Sequence, residues 1–156
     1  MRIRVIAVGT RMPAWVDQVF TDYTRRLGTA LPVALTEIPA TPRSPGRESA
    51  RAAELEGRRM LQEVRAGDFC VLLDEHGKEL STRELANWLA GRMRDGRDVS
   101  FLVGGPDGLG TEVRARGDFS LALSRLTLPH AFARVLLAEQ IYRAHTVLAG
   151  HPYHRD

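Results

Sequence analysis

Phe69-Cys70-Val71-Leu72-Leu73 is an unbroken apolar run that follows Gly67 and Asp68 and stops at the polar stretch Asp74-Glu75-His76-Gly77-Lys78, read as a turn. A strand with one wet face would alternate apolar and polar residues. A continuous run of this length is the pattern of a strand covered on both faces, as in the interior of a parallel sheet. Val99-Ser100-Phe101-Leu102-Val103 repeats the pattern after the turn Asp95-Gly96-Arg97-Asp98. Between the two runs, Ser81-Thr82-Arg83-Glu84 has the spacing of a capping box, in which the serine oxygen takes one orphan amide and the glutamate returns to another. The helix it opens extends to about Arg94, with Leu85, Trp88, Leu89 and Met93 at helical spacing. Buried strand, helix, buried strand is the unit from which parallel α/β sheets are built.

The remaining segments extend the alternation. Ile3 to Val8 is rich in β-branched residues and stops at Gly9, and Pro32 to Ile38 is a second strand closed by Pro39. Between them Met12-Pro13-Ala14-Trp15 enters a helix in which Val16, Val19, Phe20, Tyr23 and Leu27 recur, ended by Gly28. Ala40 to Arg47 has loop composition, with Pro42, Pro45 and Gly46 beside Arg43 and Arg47. It is either a solvated linker or a basic loop that meets phosphates. Glu48 to Val64 is composed of good helix formers, Thr111 to Arg116 suggests a short helix, Phe119 to Leu123 a last strand, and Phe132 to Leu148 a final helix. The expected fold is therefore α/β: a single domain over residues 1–156, with a mainly parallel sheet of about five strands flanked by helices.

The totals agree with that expectation. A chain of 156 residues, 44% hydrophobic and 26% charged, has the length and composition of one globular unit with a real core. No apolar run approaches the roughly 20 residues of a membrane helix, and the N-terminal run is too short and strand-like for a secretion signal, so a cytoplasmic protein is expected. The lone Cys70 excludes an intrachain disulfide, and its place in an apolar run makes it a buried strand residue. The histidines and carboxylates lack a metal-ligand spacing, so no metal is expected. A net charge of +3 permits a polyanionic partner without requiring one.

In parallel sheets ligands sit beyond the carboxyl ends of the strands, here Leu73, Val103 and Leu121 to Leu123. Two loops leave those ends. Gly104-Gly105-Pro106-Asp107-Gly108-Leu109-Gly110 is either a tight turn or a loop that brings bare amides against a nucleotide-like group. It matches neither G-x-G-x-x-G nor the phosphate-loop pattern, because Thr111-Glu112 follows Gly110. Leu121-Ala122-Leu123-Ser124-Arg125-Leu126-Thr127-Leu128-Pro129-His130 mixes hydroxyls, a cation and an imidazole among apolar residues, and its proline favours an extended Leu128 and a helix start. Glu139 and Arg143 are spaced for an ion pair on one helix face, and His151, Tyr153, His154 and Arg155 crowd the tail with groups that stack on bases and hold phosphates.

Taken in order, these segments resemble the RlmH family of ribosomal RNA large-subunit methyltransferases, of the SPOUT class. The resemblance is carried by Val8-Gly9-Thr10, Met12-Pro13-Ala14-Trp15, Gly104-Gly105-Pro106-Asp107-Gly108, Leu123 to His130, Arg134-Val135, Glu139-Gln140-Ile141-Tyr142-Arg143-Ala144 and Pro152-Tyr153-His154-Arg155, so it covers essentially the whole chain. It implies a C-terminal trefoil knot, a homodimer, and transfer of a methyl group from S-adenosylmethionine to N3 of a pseudouridine in the helix 69 loop of 23S ribosomal RNA, in the assembled ribosome. It further implies cofactor contacts at Leu73, Gly104, Gly105 and Leu123, Ser124, Arg125, Leu126, Thr127 and Leu128. His130, Glu139, Arg143, Tyr153, His154 and Arg155 become the candidate catalytic residues, with His130 the candidate base and Glu139, Tyr153 and His154 the alternatives. Two competing readings remain, a non-catalytic ribosome or RNA-binding module with the same fold and a different nucleotide-binding enzyme using the glycine loop.

Overall fold

The computed structural model describes residues 1–43 and 48–154. Five strands and five helices alternate: β1 (Ile3–Val8), α1 (Ala14–Leu27), β2 (Val33–Ile38), α2 (Glu48–Glu63), β3 (Phe69–Glu79), α3 (Thr82–Asp95), β4 (Val99–Val103), α4 (Thr111–Arg116), β5 (Phe119–Ala122) and α5 (His130–Leu148), followed by a 3-10 turn at Pro152–His154. The strands form one wholly parallel sheet in the order β2-β1-β4-β3-β5. This is the expected fold class, and β4 at its centre is buried at every residue.

Alternation within the central strands divides the core between the two faces of the sheet. Val5, Ala7, Val71, Val99, Phe101 and Val103 point to the side covered by α1, α3 and α5, where Phe20, Leu89, Leu137 and Ile141 pack. Ile6, Val8, Cys70, Leu72 and Leu102 point to the other side, against Met60 of α2 and Val113 of α4. Cys70 is a buried free thiol, as its apolar run suggested, and burial pushes its pKa up. The capping box at Ser81 is present with both hydrogen bonds, and α3 ends on Gly96 in the left-handed conformation.

Two boundaries differ from the sequence reading by two residues or more. Asp74 to Lys78 does not end the third strand. The strand continues to Glu79, and Leu73 and Lys78 both oppose Leu121, so the residues between them bulge out of the ladder. The last helix begins at His130, two residues earlier than its apolar pattern, because Pro129 occupies the cap with φ −55° and ψ 141° and the chain can turn helical at once.

Gly77 allows the bulge to lie against β5. A Cβ there would stand 2.7 Å from the backbone N and C of Leu121, and that contact cannot be relieved by a side-chain rotation. Gly77→Ala is expected to cost about 1–3 kcal/mol through forced backbone movement. A shift of the urea midpoint to lower concentration at constant m-value would register it, and an unchanged midpoint would contradict the packing described.

Candidate cofactor cleft and the tyrosine cluster

Leu73, where β3 begins to bulge, pairs with Val103, the last residue of β4, and with Leu121, next to the last of β5, so the bulge and the loops that follow β4 and β5 are delivered to one place. They enclose a cleft of about 670 Å³. Leu73, Gly104, Gly105, Leu123, Ser124, Leu126, Thr127, Leu128 and His130 line it. Arg125 does not: it is 86% exposed and pairs with Glu79 at 3.1 Å. The lining also includes Asp74, Glu75, His76, Asp107 and Arg114, which the sequence reading did not select. The bulge carries the first three, and a bulge has no sequence pattern as sharp as a strand or a helix cap.

The rim is tied at several points. Asp74, almost wholly buried, accepts from the Arg114 guanidinium and from the His76 amide at 3.0 Å. Burial opposes ionisation of Asp74, but the His76 amide and Arg114 outweigh it and hold the carboxyl below the ordinary carboxylate range. Arg114 also donates to the Leu109 carbonyl at 3.2 Å, which joins the end of the glycine turn to the bulge. Across the cleft the Thr127 hydroxyl donates to Glu75 at 3.2 Å, and the Leu126 amide donates to the Ser124 hydroxyl at 2.9 Å. The glycine turn is closed by a hydrogen bond from the Gly108 amide to the Gly105 carbonyl at 3.0 Å. A Cβ at Gly104 would fall 2.5 Å from the Gly108 carbonyl oxygen, so the turn needs a bare residue there.

His130 stands at the first turn of α5, partly buried, beside Arg134. Burial, then the charges of Arg134 and Arg43, lower its pKa from the ordinary histidine value, so the imidazole is neutral at physiological pH. Its place at a helix N-terminus acts in the same direction.

Arg134 itself is wholly buried and was not chosen from the sequence. It donates to the Val8 and Gly9 carbonyls at 2.9 and 2.6 Å and to Glu37 at 2.9 Å, and so fastens the start of α5 to the ends of β1 and β2.

Glu139, Arg143 and Tyr153 form a second cluster and do not line the cleft. Arg143 donates to Glu139 at 2.8 and 2.5 Å, and the Tyr153 hydroxyl lies 3.2 Å from both Glu139 and the Tyr23 hydroxyl. The Tyr153 ring meets Tyr142 edge-on at 4.7 Å, with the Arg143 guanidinium 5.0 Å from its centre. Burial, and then the hydrogen bond to Tyr23 and the Glu139 charge, raise the Tyr153 pKa well above the ordinary phenol value. Tyr153 therefore keeps its proton at neutral pH, as a hydrogen-bond donor and a poor base. The backbone of His154 closes the 3-10 turn, whereas its side chain and Arg155 lie outside the described residues.

A family model described as "Predicted SPOUT methyltransferase" matches residues 1–154. The chain belongs to the SPOUT methyltransferase family. Proteins named "Ribosomal RNA large subunit methyltransferase H" are similar over the full length: 49% identity across 156 residues, all of both chains, in Thiobacillus denitrificans, and 50% across 156 residues, again all of both, in Thioalkalivibrio sulfidiphilus. The relative of that name in Ectopseudomonas mendocina is 50% identical over 155 residues, 99% of this chain and all of its own. This family member has, among its described residues, no cluster of three or more histidine, cysteine or acidic side chains suited to a metal, and no helix long and apolar enough to cross a membrane.

The lowered pKa of His130 has a measurable sign. Between the ordinary value of 6.5 and its lower folded value, the unfolded chain binds a proton that the folded chain refuses. The stability contributed by keeping His130 neutral is therefore complete above the unfolded pKa and is lost as pH falls through this window. An NMR titration should give His130 a midpoint below 6.5, and His130→Gln should flatten the acid limb of the stability curve. A midpoint at or above 6.5 would refute the assignment.

Proposed function

We propose that this SPOUT family member is an S-adenosylmethionine-dependent methyltransferase of 23S ribosomal RNA, acting in the cytoplasm on N3 of a pseudouridine in the helix 69 loop of the assembled ribosome. The observation that carries the reading is the cleft at the ends of three parallel strands, where a bare glycine turn faces a segment of alternating apolar and hydroxyl side chains. Its volume falls within the roughly 300–1,000 Å³ of small-molecule sites. Leu73, Val103, Leu121 and Leu128 offer apolar walls to a base, while Ser124, Thr127 and the backbone of the turn offer polar contacts. The residues present thus fit the cofactor, and Leu73, Gly104, Gly105, Leu123, Ser124, Leu126, Thr127 and Leu128 would hold it. When bound, S-adenosylmethionine supplies a methyl group on a positively charged sulfonium.

The protein's own tasks are then alignment and removal of the N3 proton. His130 suits the second: it lies in the cleft, is held neutral, and keeps an imidazole nitrogen able to accept a proton. Glu139 is less suited, since its carboxylate already receives Arg143, Gln140 and Tyr153. The trefoil threading and the homodimer implied by the family resemblance belong to the same proposal. In a homodimer the Glu139–Arg143–Tyr153 cluster and the tail of one protomer would serve the partner's cleft, with Arg143 and Arg155 holding phosphate or the uracil oxygens. The exposed ring pair Trp15–Phe132, centroids 5.1 Å apart, suits a surface that such an assembly would cover.

Ribosomes from cells lacking this protein, incubated with it and methyl-labelled cofactor, should gain one methyl group that mass mapping places on the helix 69 pseudouridine. His130→Ala should slow incorporation by about a hundredfold or more, and Tyr153→Phe, Arg143→Ala and removal of the tail should each slow it as well. Cofactor binding without incorporation, or a methyl group at another nucleotide, would overturn the substrate assignment. Binding to ribosomes without any cofactor affinity would instead indicate a non-catalytic module.

A further inference from the structure

Arg43 lies in the stretch that composition alone offered as a solvated linker or a phosphate-binding loop, yet its guanidinium is turned inward. Nη1 and Nη2 donate to the two carboxylate oxygens of Glu56 at 3.0 and 3.1 Å, and Nε donates to Asp107. Glu56, on α2, is only 1% exposed, and also receives the Thr41 amide at 2.7 Å. Arg43 returns a hydrogen bond to the Thr41 carbonyl at 2.9 Å. Thr41 and Arg43 are thereby both seated on one buried carboxylate.

The two arms of Arg43 differ in character. The fork on Glu56 is bidentate and made to a buried carboxylate, the geometry in which charge-assisted hydrogen bonds are strong. The arm to Asp107 is partly exposed and reaches the glycine turn, whose residues Gly104 to Gly108 line the cleft, while Arg43 does not. Gly105 rests directly on the pair: a Cβ there would lie 3.2 Å from Glu56 Oε2 and 3.4 Å from Arg43 Nη2. A turn with three glycines among five residues has wide conformational freedom, and a site that must align a ligand closely requires an outside constraint. We propose that Arg43, seated on Glu56, is a positioning residue that clamps the Gly104–Gly108 turn in its cleft-lining shape through Asp107. Its consequence for affinity rests on the reading above, in which that turn contacts the cofactor.

Arg43→Ala would strand the buried Glu56 carboxylate and threaten the fold. Arg43→Lys keeps a cation beside Glu56 but lacks the fork, and Asp107→Ala removes only the outer arm. In the cofactor-free protein both variants should accelerate hydrogen exchange of the Gly105 to Leu109 amides by about tenfold, with β1 and β4 unchanged. Both should raise the dissociation constant for S-adenosylmethionine by about tenfold, and Arg43→Lys, at a residue outside the cleft, should leave kcat at saturating cofactor unaltered. The double variant should be no worse than either single one, since both break the same link. Unaltered exchange in Arg43→Lys, or additive effects in the double variant, would overturn the clamp. If exchange accelerates as expected but the wild-type protein binds no S-adenosylmethionine, the clamp stands and the cofactor reading falls.

Discussion

The buried guanidinium of Arg134 is the interaction on which the arrangement of the site depends. Parallel strands leave carbonyl groups at their ends that no neighbour satisfies, and at the end of β1 these are Val8 and Gly9. Arg134 reaches back from α5 to both and pairs with Glu37 at the end of β2. A fully buried cation contributes little net stability against an apolar alternative, but it permits few geometries, because misplaced partners leave a desolvated charge. That restriction fixes how the first turn of α5 meets the sheet, and with it the position of His130 and the direction from which the Leu123 to Pro129 segment must arrive. The same cation helps keep His130 uncharged. One side chain thus fixes the scaffold and adds to the effect of burial on His130.

The architecture was legible in the sequence where the physical signal is local. Continuous apolar runs at Phe69 to Leu73 and Val99 to Val103 revealed strands covered on both faces, and Ser81 with Glu84 marked a helix start. The cleft was legible in outline for a topological reason: strand ends in a parallel sheet converge, so the loops after Leu73, Val103 and Ala122 had to meet. What escaped was non-local. The bulge at Asp74 to Gly77 arises from pairing with Leu121, over forty residues away, and so Asp74, Glu75 and His76 were taken for an ordinary turn. Arg43 looked like a surface cation because nothing nearby in sequence shows that Glu56 is buried or that Asp107 lies within reach. Arg134 was noticed only as part of a motif, and its burial could not be inferred from helical spacing.

The residues grouped as catalytic by sequence divide in space between two electrostatic settings. His130 sits among cations in the cleft, where protonation is disfavoured. Glu139 and Tyr153 sit with Arg143, Tyr23 and Tyr142, where a carboxylate is neutralised and a phenol keeps its proton. The first setting leaves an unprotonated imidazole nitrogen as an acceptor and the second donates hydrogen bonds. A reaction that needs one group of each kind is served by bringing the two together, and their separation within a single chain is what gives the proposed dimer a chemical purpose.

The sheet order has a consequence for how the chain is made. β1 lies between β2 and β4, and the Arg2 amide bonds Asp98 across 96 residues of sequence. During synthesis the first strand can gain β2 early, but its other edge stays bare until β4 emerges. Non-local parallel pairing of this kind is slow, because loop closure precedes the contacts that reward it. Until then Ile3, Val5, Ile6 and Val8, nearly free of solvent contact in the folded protein, remain incompletely covered. The nascent N-terminal half is therefore the stage at which this protein is most exposed to aggregation.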